Sequence, residues 1–400
     1  MAILSFLYPI NYIQTLQATI QPMSSTSSSE PNYQENDKLE EKATGEDEEN
    51  KNNKPKAIAL LSGGLDSSLA VRMMLEQDIN VEAVAIKTPF CDFDCGKGCG
   101  HRVKEVADEL GIKLKTVYFG EEYLRMLKNP KYGYGSGMNP CIDCRAMMYN
   151  AAKEHMEKTG ADFIITGEVL FQRPMSQNNR ALHIIEKETG MEGKIVRPLS
   201  AKHLPITDAE RSGLISRESM GDIKGRSRKG QLALANHFGL TDPPNAAGGC
   251  LLTDPAFSKR IKDIMKYCDE ETIPTLNDIE LLKIGRHFRL SPYAKLVVGR
   301  NDDENQMIKA LVTDEDIVME ARDYVGPTCI LRMKRQNYDD DNYAHHYDSL
   351  IKKCAAIVLR YSDAPRNSQS AVKMTISRER IEKEILILPA ENAEIDAIRI

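Results

Sequence analysis

The run Leu61-Ser62-Gly63-Gly64-Leu65-Asp66-Ser67-Ser68 gathers groups suited to phosphate chemistry. Two adjacent glycines permit backbone geometry that a Cβ obstructs, so main-chain N–H groups can approach phosphate oxygens at a helix start. Ser62, Ser67 and Ser68 can add hydroxyl donors. Asp66 repels phosphate and suits a magnesium ion or a helix cap instead. A Gly-Gly turn with serine caps in an inert loop is the plainer alternative.

A second group is Asn139-Pro140-Cys141-Ile142-Asp143-Cys144-Arg145. The i,i+3 spacing puts Cys141 and Cys144 on one helix face near its positive end, where both thiolates are favoured and Arg145 can assist. Such a pair can hold a metal, act as nucleophile and resolving thiol, or fill a core. Cys250, in Gly248-Gly249-Cys250-Leu251-Leu252-Thr253-Asp254-Pro255, is the candidate third ligand. Three thiolates leave one iron of a [4Fe-4S] cluster open to exogenous sulfur. A structural zinc wants a fourth ligand, and no histidine stands nearby at a familiar spacing.

Cys91, Cys95 and Cys99 recur every four residues, with His101 close behind. They can bind Zn2+ or a second iron-sulfur cluster, relay sulfur, or form a noncatalytic loop. Arg217, Lys224, Arg226, Arg228 and Lys229 form a basic stretch that can follow RNA phosphates, or simply a solvated face. Glu168 lies after an expected strand, where it can bind magnesium or orient a base. Arg173 and Arg180 follow it and can neutralise phosphate.

These groups need a frame. Short apolar strands are expected over 57–61, 81–87, 113–119 and 162–167, with helices between them, the longest over 141–158. Strand-helix alternation makes this an α/β region with a parallel sheet covered by helices. Its ligand site belongs beyond the carboxyl ends of the strands, where the glycine-rich turn lies. Residues 181–199 read as two short strands around Gly190, and 206–214 and 228–239 as helices ending at glycines. From about Gly285 a separate α+β domain is expected. Its strands fall at 288–290, 293–299 and 329–333, and its helices at 303–311 and 344–361.

The chain has 53 basic and 59 acidic residues, a net charge of −6, which gives no general signal of nucleic-acid binding. Residues 1–54 hold nine acidic residues and four lysines, which reads as a disordered acidic leader and leaves the remainder near neutral. Nine cysteines are too sparse for a secreted disulfide scaffold. No apolar run reaches membrane-spanning length, so a cytoplasmic protein is expected, without membrane attachment. The domain reading is a leader at 1–54, a nucleotide-binding region at 55–285 and a second domain at 286–400.

SGGLDSS resembles the pyrophosphate-binding loop of the PP-loop ATP pyrophosphatases, which implies an adenine-nucleotide α-hydrolase-like fold. The loop lacks the Walker pattern GxxxxGKS, so the resemblance implies adenylation rather than γ-phosphoryl transfer. With NPCIDC and GGCLLTDP added, residues 55–255 resemble the tRNA thiouridine synthetases, particularly 2-thiouridylases and their iron-sulfur-dependent relatives. That likeness implies an ATP-dependent tRNA sulfurtransferase: ATP adenylates a base carbonyl, expected to be uridine's, and sulfur displaces AMP. Cys141 and Cys250 match the reactive pair and Cys144 the additional cluster ligand. The implied cofactors are ATP, Mg2+ and a [4Fe-4S] cluster. The implied partners are tRNA, a sulfur donor (inorganic sulfide or a cysteine-desulfurase-derived persulfide) and a second copy in a homodimer. Gly167-Glu168 departs from the Gly-His common in 2-thiouridylases. A PP-loop carbon-nitrogen ligase or amidotransferase, and a nonenzymatic metal-containing RNA-binding scaffold, are the competing readings.

Val297-Val298-Gly299-Arg300-Asn301, with Val325-Gly326-Pro327-Thr328 farther on, resembles the NFACT-R RNA-binding domain over about 286–376. The tryptophan-histidine element often found before that turn is absent. Asn301 suits equally a helix N-cap and Arg300 a surface charge.

Overall fold

The computed structural model describes residues 54–91, 99–240, 250–269, 271–333, 340–376 and 381–400, with side chains from 99–101 and 340–346 excepted. The expected acidic leader falls, apart from Lys54, outside these residues. So do Cys95 and the side chains of Cys99 and His101.

Two sheets organise the described chain. The first has five parallel strands in the order β3-β2-β1-β4-β5. They are β1 Lys56–Leu60, β2 Asn80–Lys87, β3 Lys113–Tyr118, β4 Phe163–Thr166 and β5 Ile195–Val196. Central β1 buries Ala57, Ile58 and Ala59 completely or nearly so, as expected of a strand covered on both faces. The order reverses between β1 and β4. The ligand crevice of an open parallel sheet therefore opens where these two strands end.

The helices flanking this sheet are α1 Leu65–Leu75, α2 Cys99–Glu109, α3 Glu121–Lys128, α4 Cys141–Thr159, α5 Asn179–Thr189, α6 Asp208–Arg211 and α7 Lys229–His237. Helix α5 corrects the two-strand reading of 181–199. Ala181, Leu182, Ile185 and Thr189 form its buried stripe, the Asn178 side chain accepts from Ala181 N–H, and left-handed Gly190 ends it. The paired isoleucines look strand-forming locally, yet packing against the sheet selects the helical period. Only Ile195–Val196 of that stretch pairs as a strand.

Two further helices, α8 Pro255–Lys266 and α9 Leu276–Lys283, escape the sequence reading. The second sheet follows as β6 Arg286–Ser291, β7 Ala294–Val298, β8 Ile317–Ala321, β9 Cys329–Met333, β10 Ser370–Ile376 and β11 Ile381–Ile387. It is antiparallel in the order β11-β10-β8-β9-β7-β6. Strands β8, β10 and β11 were not anticipated. Helix α10 Asp302–Ala310 starts with Asn301 as its N-cap, accepting from Glu304 N–H at 2.9 Å. The long α11, Asp340–Arg360, supplies Ile351, Cys354, Ala355 and Val358 to the core beneath the sheet. A fully buried side chain the size of Val358 contributes roughly 1.5–3 kcal/mol.

Helix α8 joins the two halves. Phe257 and Ile261 enter a cluster beside the first sheet, while Asp263 pairs with Arg289 of β6 at 3.1 and 3.2 Å from its Nε. Among the described residues no helix is long and apolar enough to cross a membrane.

Candidate active site

Strand β1 ends at Leu60, and Ser62–Gly64 turn the chain into α1. Gly63 has φ 71°, and a Cβ there would lie 3.0 Å from Val103, so this position calls for glycine. The N-cap Gly64 supplies no side-chain cap to α1. The helix start is therefore open to an anion, as the sequence reading expects. The serines behave differently from that expectation. Ser67 Oγ donates to Gly64 O at 2.9 Å and accepts from Ser62 N–H at 3.3 Å, while Ser68 Oγ donates to Gly64 O at 3.0 Å. A hydroxyl has one proton to donate. In this arrangement Ser67 and Ser68 brace the turn, leaving Ser62 and the backbone as its donors to a ligand.

Gly167 lies against this turn. A Cβ on it would stand 2.4 Å from Ser67 N and 2.6 Å from the Asp66 carbonyl carbon, so β4 can leave the sheet here only as glycine. Five residues later Gln172 Nε2 donates to Asp66 Oδ2 at 2.9 Å. The next residue, Arg173, is exposed and near enough to Cys141 to favour its thiolate. The loop after β4 thus connects the glycine-rich turn to the thiols.

The thiols converge through backbone stitching. Met138 N donates to Leu252 O at 3.0 Å, and a Cβ on Gly137 would sit 2.4 Å from that same oxygen. This holds the Cys250 segment against the chain entering α4, where Cys141 and Cys144 stand. Asp143, 8% exposed, accepts from Lys131 N at 2.8 Å and Tyr132 N at 3.1 Å, pinning the preceding loop to the same helix start. Its place between the two cysteines was the sequence signal for this role. Asp254 caps α8 by accepting from Phe257 N at 2.7 Å, with Pro255 as the first helical residue, so the TDP element is a helix start. Cys144 and Cys250 pack on one apolar cluster containing Phe90, Tyr123, Leu252 and Phe257. Tyr123 donates its hydroxyl to Cys144. Cys91 also belongs to this neighbourhood: its charge would act on Cys144 and Cys250, and its sulfur accepts from Thr88 N at 3.2 Å.

Burial reverses the expected thiolate preference. It pushes Cys141 up despite Arg145 and Arg173, and pushes Cys144 up despite the Tyr123 hydrogen bond. Cys250 is raised to about 11 by burial, with the neighbouring thiols adding to the rise. Desolvation disfavours the charged form more strongly than the helix end and the two arginines favour it. The set has the chemistry of an iron-sulfur cradle, three thiols from two segments, of which Cys144 and Cys250 pack on one apolar wall. The thiols converge without closing: among the described residues no three Cys, His, Asp or Glu side chains stand close enough to hold a metal ion.

Glu168 occupies a different place from the open loop expected of a magnesium ligand. It is 2% exposed; Oε2 accepts from Arg197 Nε at 3.0 Å and from the Tyr149 hydroxyl, and Oε1 lies 3.6 Å from Arg145 Nε. Burial alone would raise its pKa, but Arg197 and Arg145 outweigh that and hold it below the usual carboxylate range. Glu168 is the buried counter-ion that anchors Arg145 beside Cys141 and Cys144. Arg217 likewise leaves the expected basic surface, binding Glu210 at 2.6 Å and the carbonyls of Ala201 and Leu204. Lys224, Arg226 and Lys229 are exposed, and Arg228 is partly buried. Gly225 N donates to Leu170 O at 2.7 Å, which brings this basic segment alongside the loop after β4.

Residues 53–204 match the family described as Thiamine biosynthesis protein (ThiI), and residues 285–399 match the NFACT protein RNA binding domain. The two matches lie side by side along the chain, with residues 205–284 between them. The match to ThiI covers the glycine-rich turn, Cys141, Cys144 and Glu168, whereas Cys250 lies beyond it. A tRNA-specific 2-thiouridylase MnmA from Acinetobacter baylyi is 33% identical over 138 residues, 31% of this chain and 35% of that protein. Its namesake from Marinobacter nauticus is 30% identical over 140 residues, 33% of this chain and 36% of that protein. The chain thus spans about a third of the length of these relatives. Among solved structures, a 4-thiouridine synthetase–RNA complex with bound ATP shows 21% identity and a TM-score of 0.30, covering 46% of this chain and 52% of that one. The U34-tRNA thiolase NcsA from Methanococcus maripaludis with its [4Fe-4S] cluster shows 18% identity and a TM-score of 0.27, covering 54% and 67%.

Proposed function

We propose that this protein is an ATP-dependent tRNA sulfurtransferase that adenylates a uridine carbonyl and replaces its oxygen with sulfur in the cytoplasm. One observation carries the reading. The loop over residues 167–173 touches the glycine-rich turn and approaches Cys141, and Cys144 and Cys250 pack on one apolar cluster. The family of residues 53–204 and the thiouridylase relatives support it.

The chemistry follows from what each group can do. A uridine carbonyl is a poor electrophile until its oxygen becomes part of an adenylate, whose leaving group is AMP. The N–H groups at the start of α1 hold ATP phosphates, and the Asp66 carboxylate takes Mg2+. Ordering ATP and base together supplies proximity. The apolar wall of Phe90, Tyr123, Leu252 and Phe257 excludes water from the thiol side, where hydrolysis of the adenylate would waste ATP. Cys141, Cys144 and Cys250 are the residues that would hold a [4Fe-4S] cluster, which would supply an open iron for exogenous sulfur. Arg145, anchored by Glu168, offsets negative charge on these sulfurs. Lys224, Arg226 and Lys229 with the NFACT domain bind the RNA backbone.

The test is anaerobic purification with iron and sulfide quantification, then incubation with ATP, sulfide and unmodified tRNA and mass spectrometry of the nucleosides. A thiolated uridine whose formation needs ATP is the expected product. Cys250→Ala should abolish it, and undiminished thiolation in that variant would refute the assignment of Cys250.

A further inference from the structure

The loop after β4 contains a residue that the sulfur-transfer reading leaves unused. Asp78 and Phe171 are the non-glycine residues with positive φ among those described, at 62° and 64°. Aspartate tolerates that conformation, and Asp78 sits in a turn where it pairs with Lys54 at 2.6 Å. Phenylalanine does not tolerate it well, because its Cβ crowds the carbonyl oxygen and its ring makes no hydrogen bond in return. Burial offers no compensation either, since Phe171 is 48% exposed.

The neighbouring backbone enforces this geometry. Phe171 N donates to Gln177 O at 2.6 Å, and Gln177 Oε1 accepts from Arg173 N at 3.0 Å, with Gln177 itself 3% exposed. A relaxed backbone would send the ring elsewhere. Strain that survives in an over-determined loop at a site edge points to a function for the side chain it aims.

Its surroundings say which function. Leu170 is bonded to the segment carrying Lys224 and Arg226, Gln172 holds Asp66 of the nucleotide turn, and Arg173 acts on Cys141. Phe171 is therefore flanked by residues tied to the basic segment, the nucleotide turn and a thiol. We propose that Phe171 is a stacking platform for an unpaired nucleobase of the RNA substrate. An exposed aromatic side chain beside a cationic track is how single-stranded bases are held, and a constrained backbone beneath it loses little freedom on binding. This inference rests on the RNA-thiolation reading and deepens it.

The decisive comparison uses the full chain, an unmodified tRNA transcript in an anisotropy assay, and ATP in a calorimetric titration. Phe171→Gly removes both strain and ring. It should raise the melting temperature while weakening tRNA binding about ten- to a hundredfold and leaving ATP affinity unchanged. Phe171→Asn, which tolerates the same backbone, should weaken tRNA binding similarly, and Phe171→Trp should retain it. A more stable glycine variant with wild-type tRNA affinity would overturn the proposal, as would loss of ATP binding with tRNA binding intact. Wild-type protein that binds no tRNA would instead bring down the RNA reading itself, and this proposal with it.

Discussion

Gln172 Nε2 and Asp66 Oδ2 are 2.9 Å apart, so the loop leaving β4 holds the one acidic side chain of the nucleotide turn. The bond orients a carboxylate proposed to take magnesium. Removing the carboxylate should cost more than removing its support. Asp66→Ala should reduce ATP-dependent pyrophosphate release at least a hundredfold, and Gln172→Ala about ten- to a hundredfold, the usual range for a residue that orients a metal ligand. Stopped-time pyrophosphate assays check both, and equal activity of Gln172→Ala and wild type would show that the bond orients nothing.

The Cys250 thiol, raised from an ordinary value of 9.0 to about 11, is expected to be protonated at neutral pH. Alkylation of metal-free protein by iodoacetamide, followed by peptide mass spectrometry, should be slow at pH 8 and accelerate about tenfold per unit toward pH 11. Because the folded pKa is the higher one, this thiol's stability contribution is complete below about pH 9 and is lost as pH rises through 11. A labelling rate already flat at pH 8 would contradict the assigned burial.

Glu168 sits between Arg197 and Arg145 with almost no solvent contact. Glu168→Ala leaves the buried Arg197 guanidinium and the partly exposed Arg145 short of their counter-ion and should destabilise the fold by roughly 3–5 kcal/mol, measured by denaturant unfolding. Its carboxyl is held below the usual value of 4.5. The stability it contributes is therefore present above that pH and is lost as pH falls toward the lowered value. An alanine variant as stable as wild type would mean that water replaces the carboxylate.

Arg217 and the exposed basic side chains should separate cleanly. Arg217→Ala removes the bond to Glu210, whose side chain is only 5% exposed, and should cost about 2 kcal/mol of stability with little effect on RNA affinity per folded molecule. Replacing Lys224, Arg226 and Lys229 together should leave stability nearly unchanged and lower the salt dependence of tRNA binding by about one unit per lost phosphate contact. Titrations at several salt concentrations distinguish the two.

Local chemistry made much of this protein legible from the amino-acid order. Positive-φ demand at Gly63, the period-3.6 helix after it and the apolar run of β1 are properties of a few adjacent residues. The cysteine spacing likewise put Cys141 and Cys144 together at one helix start. Tertiary structure decided how those groups behave. Glu168 meets Arg197 across 29 positions, and Arg217 folds back onto Glu210, so neither is an open ligand. The thiols are raised because Phe90, Tyr123, Leu252 and Phe257 arrive from separate segments to remove water. Desolvation depends on everything that packs around a group, and that sum is set in three dimensions rather than along the chain.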